Sequence, residues 1–401
     1  MITTWRWAWR FLWARPLAAG LNLLLLTLGL ASITFVLLVN HQIQRAFERD
    51  LAGIDVVVGA KGSPMQLILS GVFHIDTPTG NIPLASLQTL KEHPHVAKLI
   101  PISMGDSLNG FRIIGTTPDY IHHYAAVLAQ GALWQAPMQA VLGADVARQT
   151  GLKVGDRFVG SHGLGRGGHA HGDMPYSVTG VLAPSGAVLD RLILTPTESV
   201  WRVHESATAL DAEDQKILEQ EREVTLALIQ YRSPLAAVTF PRFINTSTDM
   251  QAAAPAIEIT RLLGMIGVGT DVLRALAGVL LLTAGLSVFV ALWSALRERR
   301  ADLALMRMLG ASPAKLAGLL WCEAMWLALL AALLGVAAGQ GLTALVALAL
   351  DYDKTLSLAT LSWPAELLMV PALALGVALL SALLPTWEAY RVSVLELIQS
   401  R

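Results

Sequence analysis

The sequence predicts a membrane protein in which four transmembrane α-helices carry an α+β extracytoplasmic domain, inserted between the first and second spans. Three observations predict this fold class. Hydrophobic residues make up 54% of the 401 residues and charged residues only 15%, which is unusual for a soluble protein. Four apolar stretches are each long enough to cross a bilayer. The segment between the first two stretches mixes polar and apolar residues and has frequent turn signals, as folded soluble domains do.

The chain begins with an amphipathic segment, residues 1–16, in which tryptophans alternate with arginines. Indole rings settle at the membrane interface, so we expect a helix that lies there on the cytoplasmic side. The first span follows at residues 17–39, and it is longer than the apolar core of a secretory signal. We therefore interpret it as a retained anchor.

The other three spans are predicted at residues 269–296, 316–350 and 365–386. The third is longer than one crossing requires, and its glycine cluster at residues 335–341 predicts that the helix leaves the bilayer and bends there. Pro385 is expected to end the fourth helix, because proline cannot donate the next backbone hydrogen bond.

Basic residues beside the span ends predict the orientation of the chain. They precede the first span, separate the second from the third and follow the fourth: Arg6, Arg10 and Arg15; Arg297, Arg299, Arg300, Arg307 and Lys315; Arg391 and Arg401. All three groups fall on one side of the membrane. The positive-inside rule therefore predicts a multi-pass membrane protein with the turn at residues 297–315, the tail at 387–401 and both termini in the cytoplasm. Residues 40–268 and the short loop at 351–364 are expected outside.

Charge and cysteine content exclude several classes of protein. The formal net charge of −1 gives no electrostatic footprint for DNA or RNA, so we expect no nucleic-acid partner. The single cysteine, Cys322, cannot form an internal disulfide, so the outer domain must fold without one.

The outer domain, residues 40–268, shows both strand and helix patterns. Strands are expected at 54–58, 96–102, 111–114, 176–182, 192–195, 226–231 and 236–240, and helices at 84–92, 143–150 and 211–224. Residues 256–272 run apolar toward the second span and predict a helical stalk, which would carry movement from the domain to the membrane. A passive linker is the alternative.

The cytoplasmic turn, residues 297–315, is the most informative segment. Gly310 suits a left-handed residue that closes one helix, while Ser312 and Pro313 suit the N-cap and first position of the next. One side of this corner is charged and another is apolar, which is what insertion into a groove of a second protein needs. An ordinary loop would explain the arginines but not the apolar side.

The turn also resembles a known family signature. The run Glu298-Arg299-Arg300-x-Asp302-Leu303-Ala304-Leu305-Met306-Arg307-x-Leu309-Gly310-Ala311-Ser312 is similar to the cytoplasmic signature of the FtsX-like and MacB-like permeases of ABC transporters. In the outer domain, Val141-Leu142-Gly143, Gly151-Leu152 and Gly155-Asp156 resemble the periplasmic domain of those permeases. The C-terminal segment departs from the family pattern because it lacks a proline near Val394.

The resemblance implies a location in the bacterial inner (cytoplasmic) membrane, a dimer of permease subunits, as a homodimer or a heterodimer, and a separate cytoplasmic ABC ATPase. Contact with that ATPase is expected at the corner, through Glu298, Arg299, Asp302, Leu303, Met306, Arg307, Leu309 and Gly310. The segment at residues 59–63 has the wrong spacing for a phosphate-binding loop, so ATP would be bound by the partner and this chain needs no intrinsic cofactor.

A second candidate site is a glycine-rich loop in the outer domain. It carries His162, His169, His171 and Asp173, ligand types that suit zinc or a similar divalent metal. A solvated loop whose histidines bind nothing is the alternative.

The expected function is that of a non-catalytic permease subunit, since the sequence has no His-Glu-x-x-His motif, no Gly-x-Ser-x-Gly motif and no paired intramembrane aspartates. It would couple ATP hydrolysis by the ATPase to movement of the outer domain, a mechanotransmission that exports or extracts a periplasmic or membrane substrate, such as a lipoprotein or metal-related cargo. A periplasmic binding protein or lipoprotein is a further expected partner. The alternatives are an FtsX-like membrane regulator of a periplasmic enzyme and a metal-sensing membrane receptor.

Overall fold

The computed structural model describes residues 2–161, 174–208, 218–219, 221–298, 300–352 and 363–391. The chain divides into two compact units. We call the first the helical unit; it comprises Met1–Ile43, Met265–Tyr352 and Leu358–Arg401. The second, which we call the sheet unit, comprises Gln44–Gly264 with Asp353–Ser357.

The elements of the described residues are as follows. The helices are α1 (Ile2–Leu12), α2 (Pro16–Leu51), α3 (Pro64–Gly71), α4 (Leu84–Glu92), α5 (Pro118–His123), α6 (Ala144–Thr150), α7 (Thr197–Thr208), α8 (Ala236–Ser247), α9 (Pro255–Glu298), α10 (Arg300–Met308), α11 (Pro313–Tyr352) and α12 (Met369–Arg391), with 3-10 turns at Val188–Arg191 and Ala365–Leu368. The strands are β1 (Val56–Ala60), β2 (Ile82–Pro83), β3 (Val96–Leu108), β4 (Phe111–Thr116), β5 (Leu128–Gly131), β6 (Gln139–Leu142), β7 (Arg157–Phe158), β8 (Tyr176–Leu182), β9 (Leu192–Pro196), β10 (Glu223–Val224), β11 (Leu226–Tyr231) and β12 (Met250–Ala253).

Ten strands of the sheet unit form one mixed sheet in the order β12-β1-β11-β3-β4-β9-β6-β8-β5, with β7 paired to β8. The pairs β4–β9 and β6–β8 are parallel, and the other pairs in this sheet are antiparallel. The long strand β3 pairs with β11 up to Ile102 and with β4 from Ser103 onward. One long strand thus joins both halves of the sheet, and a register shift between Met104 and Ser107 interrupts its pairing with β4.

Helices cover both faces of the sheet, because successive side chains of a strand point to opposite faces. Val57 packs with Leu67 and Ile68 of α3 in one core, while Val56 and Val58 pack in another with side chains of α4 and α8. A third core forms around Phe111, Tyr176 and the strands β6 and β9.

Most of the predicted strands are confirmed, and β8 and β11 have the predicted bounds. The strand predicted at 236–240 is wrong, because this segment begins helix α8. The buried residues of this segment repeat every four positions, at Ala236, Phe240 and Ile244. This spacing places them on one face of a helix, which packs into the core. The helix predicted at 211–224 lies mostly outside the described residues, and its end is strand β10, paired with β2.

The helical unit contains the four long apolar helices that the sequence predicts. Their cross-contacts include two interhelical hydrogen bonds. Ser287 Oγ donates to Asn22 Oδ1 at 2.6 Å, and Ser381 Oγ donates to the carbonyl of Gly285 at 2.8 Å. Where lipid offers no partner, such bonds satisfy hydroxyl groups and hold spans in register.

The glycine cluster of the third span does not interrupt its helix, because α11 runs unbroken from Pro313 to Tyr352. The predicted exit from the bilayer and bend at residues 335–341 stay predictions. The glycines do serve close packing. A Cβ at Gly335 would lie 2.6 Å from the Cβ of Leu30, and one at Gly339 would lie 2.5 Å from the Cβ of Thr34. A Gly-x-x-x-Gly pair thus lets α11 approach α2 backbone to backbone.

Pro385 does not end the fourth helix, which continues to Arg391. The expectation failed because it treated the span as a soluble helix. Inside a helical bundle, neighbouring helices and small polar side chains satisfy the backbone groups that a proline leaves free.

Candidate functional site

The predicted corner is helical up to Met308 and then turns at Gly310, within the helical unit. Helix α9 is described to Glu298 and helix α10 from Arg300 to Met308. Arg299 lies outside the described residues. The described residues before Gly310 are therefore helical as far as Met308, as the sequence predicts.

Gly310 closes α10 as predicted. Its φ is +93°, a left-handed conformation that favours glycine. The amide of Ala311 donates to the carbonyl of Met306 at 2.9 Å, and that of Gly310 to Arg307 at 3.0 Å, so the closing carbonyls are satisfied. Three residues after Gly310, Pro313 begins α11 at its first position.

The two faces of α10 have different surroundings. Leu303 is only 5% exposed and belongs to the core of the four spans, and Met306 packs partly buried against that core. Leu305, Met308 and Leu309 are 53%, 59% and 84% exposed. We call these last three residues the free face of α10.

This arrangement corrects the predicted apolar side. We expected Leu303, Met306 and Leu309 to face a partner together, yet only Leu309 of these is largely exposed. Leu303 cannot contact a second protein without leaving the core of its own unit. Leu305 and Met308, which the prediction left out, take the place of Leu303 and Met306 on the exposed surface.

The charged residues of the corner are partly engaged within the chain. Glu298 forms an ion pair with Arg15, which lies just before α2. Arg307 is half-buried and has a partner of its own. The side chain of Asp302 lies outside the described residues. Glu298 therefore links the start of the first span to the end of the second. Its side chain is still more than half exposed, so it is also available to a partner.

In the sheet unit, the last turns of α2 and the first turns of α9 enter one shared core. Phe47 and Leu51 of α2 pack against this core, and Phe47 meets Phe73 edge-on with ring centroids 5.0 Å apart. From α9, Ile259 is buried in the core and Leu262 packs against it. Both long helices are therefore anchored in the sheet unit by apolar contacts.

Polar contacts fix the end of α2 further. Asp50 Oδ1 accepts a hydrogen bond from the amide of Val188 at 3.1 Å, and its carbonyl accepts one from the hydroxyl of Tyr124 at 2.8 Å. Burial raises the pKa of the Tyr124 hydroxyl well above its usual value, so the group stays a neutral donor. Neighbouring Tyr120 bonds His74 at 2.9 Å, and burial lowers the pKa of that imidazole to about 3, so it remains uncharged at neutral pH.

Comparisons with known proteins decide the family. The model of the MacB-like periplasmic core domain matches residues 19–236, which is more than half of the chain, and the model of the FtsX-like permease C-terminal region matches residues 274–394. The chain belongs to the FtsX-like and MacB-like permease family. The family is the membrane component of ABC transporters, is generally non-catalytic itself, and associates with an ABC ATPase.

Two solved structures are similar to part of this permease. The periplasmic region of MacB from Actinobacillus actinomycetemcomitans is 12% identical, with 53% of this chain and 95% of that chain covered and a TM-score of 0.35. The extracellular domain of the noncanonic ABC-type transporter YknZ from Gram-positive bacteria is 11% identical, with 49% and 98% covered and a TM-score of 0.31. A search of curated proteins gave no match.

The candidate metal loop of the permease, with His162, His169, His171 and Asp173, lies outside the described residues. Among the residues that the structure does describe, no three histidine, cysteine, aspartate or glutamate side chains are placed to hold a metal ion. Zinc binding by the loop therefore stays a prediction.

Two residues of the free face of α10 were missed because the corner was divided by charge and hydropathy alone. A signal for them exists in the sequence: Leu305, Met308 and Leu309 repeat at helical spacing, as do Leu303 and Met306. The pattern shows that α10 has two apolar sides. It does not show which side the four spans cover.

Proposed function

We propose that this permease converts the cycle of a separate cytoplasmic ABC ATPase into movement of its own sheet unit. The observation that carries the proposal is the two-sided packing of α10. One side, with Leu303, is held in the core of the spans, and the free face is exposed beside a rigidly closed corner. A partner that binds the free face and moves α10 would therefore displace the spans as well, because Leu303 packs in their core.

The same proposal assigns a route for the movement. Helix α9 immediately precedes α10, and the ion pair between Glu298 and Arg15 connects this end of α9 to the start of α2. Both α2 and α9 contribute side chains to the shared core of the sheet unit. Packed helices transmit displacement because their interiors are dense and resist compression. Mechanotransmission through α2 and α9 is the function that this packing supports best.

We further propose an inner-membrane location with the corner in the cytoplasm and the sheet unit in the periplasm. The substrate would be a periplasmic or membrane molecule that the moving sheet unit exports or extracts, with a periplasmic binding protein or lipoprotein as a partner. Basic residues at the corner and at the start of α2 support this orientation under the positive-inside rule.

Thiol labelling tests orientation and ATPase contact together. In a Cys322→Ala background, we expect Leu309→Cys to react with a membrane-impermeant maleimide only from the cytoplasmic side, and to crosslink to the ABC ATPase. Val127→Cys, an exposed position of the sheet unit, is the matched control and should react only from outside. Labelling of Leu309→Cys from outside would contradict the proposed coupling role.

We also propose that two copies of the permease associate through α9. Exposed apolar residues follow one face of this helix at steps of three or four residues: Met265, Val268, Val272, Leu276, Val279, Leu282, Leu286 and Val290. Gly267, Gly269 and Gly278 on the same helix have no neighbour within 4 Å for an added Cβ. Because glycine in a helix interior costs about 1 kcal/mol, open glycines suit a site where a second helix approaches closely.

Length distinguishes this face from a simple lipid contact. Helix α9 has 44 residues and spans about 66 Å at 1.5 Å per residue, roughly twice the hydrocarbon thickness. The apolar face itself, from Met265 to Val290, extends over about 38 Å against about 30 Å of hydrocarbon, so a second protein surface would cover the part that extends beyond the hydrocarbon.

Disulfide crosslinking tests this dimer. In the Cys322→Ala background, we expect Val272→Cys to form a disulfide-linked dimer under mild oxidation. Arg274→Cys is a matched control, because it is exposed but lies on the opposite side of α9. Equal crosslinking at both positions, or none at Val272→Cys, would exclude α9 as the interface.

A further inference from the structure

Helix α1 is fixed against the third span by an indole cluster. The ring of Trp326 on α11 lies 4.7 Å from that of Trp5 and 4.8 Å from that of Trp9, measured between centroids. The indole N–H of Trp326 also donates to the backbone carbonyl of Trp5 at 3.2 Å. Ala8 and Leu12 of α1 are buried beneath the cluster. The helix therefore has a defined position rather than lying loosely on a membrane surface.

A groove of 480 Å³ runs along the outer side of this cluster, a volume typical of small-molecule sites. Its lining is Trp5, Arg6, Trp7, Trp9, Arg10 and Trp326. The two arginines are four residues apart and so lie on the same face of α1. Both are exposed, and within the described part of the chain no carboxylate forms an ion pair with either.

We propose that this groove binds one anionic phospholipid of the surrounding bilayer. The guanidinium groups of Arg6 and Arg10 would hold the headgroup phosphate by charge-assisted hydrogen bonds, for which arginine has the right planar geometry. The indole faces would carry the glycerol backbone and the start of an acyl chain, since tryptophan presents an apolar body at the headgroup level.

Charge and position favour a lipid over a soluble anion or an acidic protein. Among the described residues, the two guanidinium groups have no carboxylate in an ion pair with them and are the only charged side chains that line the groove, while its other four lining residues are tryptophans. A soluble anion would not need the apolar surface that the four tryptophans provide. This inference depends on α1 lying at the membrane interface and not on coupling to an ATPase, so either can fail without the other.

Brominated lipids test the proposal on the full chain. The permease is placed in phosphatidylcholine nanodiscs that contain a minor fraction of a brominated lipid. That lipid is brominated phosphatidylglycerol in one sample and brominated phosphatidylcholine in the other, and bromine quenches indole fluorescence on contact. We expect brominated phosphatidylglycerol to quench more strongly at equal mole fraction. Because a basic residue near the surface contributes about a fivefold preference for anionic lipid, each arginine should contribute a factor of that order.

Arginine variants test whether Arg6 and Arg10 cause the preference for anionic lipid. Arg6→Gln with Arg10→Gln should abolish the preference, and Arg6→Lys with Arg10→Lys should retain most of it. Arg202→Gln with Arg242→Gln removes the same charge from exposed positions of the sheet unit and should leave it unchanged. Native mass spectrometry of the same proteins provides a second count of bound phosphatidylglycerol.

Three results would overturn the assignment. Equal quenching by the two brominated lipids in the wild type would show that the groove does not select anionic lipid. An unchanged preference in the glutamine variant would place the selectivity elsewhere. Displacement of phosphatidylglycerol by added inorganic phosphate would make the groove a site for soluble anions.

Discussion

We expect the double variant Leu305→Asp with Met308→Asp to lose stimulation of the partner ATPase by the permease while remaining folded in the membrane. Both side chains belong to the free face of α10, so the substitution places charges on exposed positions and leaves the core of the spans intact. Apolar anchors at the centre of an interface contribute about 2 kcal/mol or more each, so the affinity for the ATPase should fall at least about 30-fold.

The measurement is ATP hydrolysis by the ATPase at increasing permease concentration, together with copurification of the two proteins. Leu235→Asp with Val238→Asp is the matched control, because these apolar residues are at least as exposed but lie at the N-terminal end of α8 in the sheet unit. Normal stimulation by the Leu305, Met308 variant would show that the free face is not the ATPase contact.

Leu303→Asp should behave differently from the free-face variants. Its side chain is buried in the core of the spans, so an aspartate there would be a buried charge without a partner and would destabilise the protein itself. A loss of stimulation in that variant would therefore report on folding rather than on docking.

The second large effect concerns two glycines on the third span. We expect Gly339→Ala to destabilise the helical unit, because the new Cβ would lie 2.5 Å from the Cβ of Thr34, and neither backbone can yield without moving a helix. Overpacking of this kind costs about 1–3 kcal/mol. Gly341→Ala, two residues further along the same helix, meets no atom within 4 Å and should be neutral or stabilising by up to about 1 kcal/mol.

Thermal unfolding in detergent, followed by the loss of monodisperse protein, compares the two variants directly. Because they share a helix and a substitution, intrinsic helix propensity cancels between them. A similar midpoint for both would mean that α2 and α11 do not approach closely at Gly339.

Much of the fold could be predicted because it depends on properties of contiguous segments. The four spans follow from the length of the apolar stretches, and the closing turn at Gly310 and the start of α11 at Pro313 follow from the backbone preferences of glycine and proline. Strands such as β8 and β11 follow from local composition and turn signals. The family signature at the corner is likewise a local pattern.

Other features depend on contacts between residues far apart in the chain, and only the tertiary structure decided them. Leu303 and Leu305 are identical side chains two positions apart, yet one is buried by the spans and the other is exposed. The sequence predicts a bend at the glycine cluster of residues 335–341, and only the approach of Leu30 and Thr34 shows that Gly335 and Gly339 form a close helix contact. Sequence alone determined the four long apolar helices and where the corner turns. The burial of each helix face was decided by packing, since a side chain is buried only by atoms that the fold brings to it.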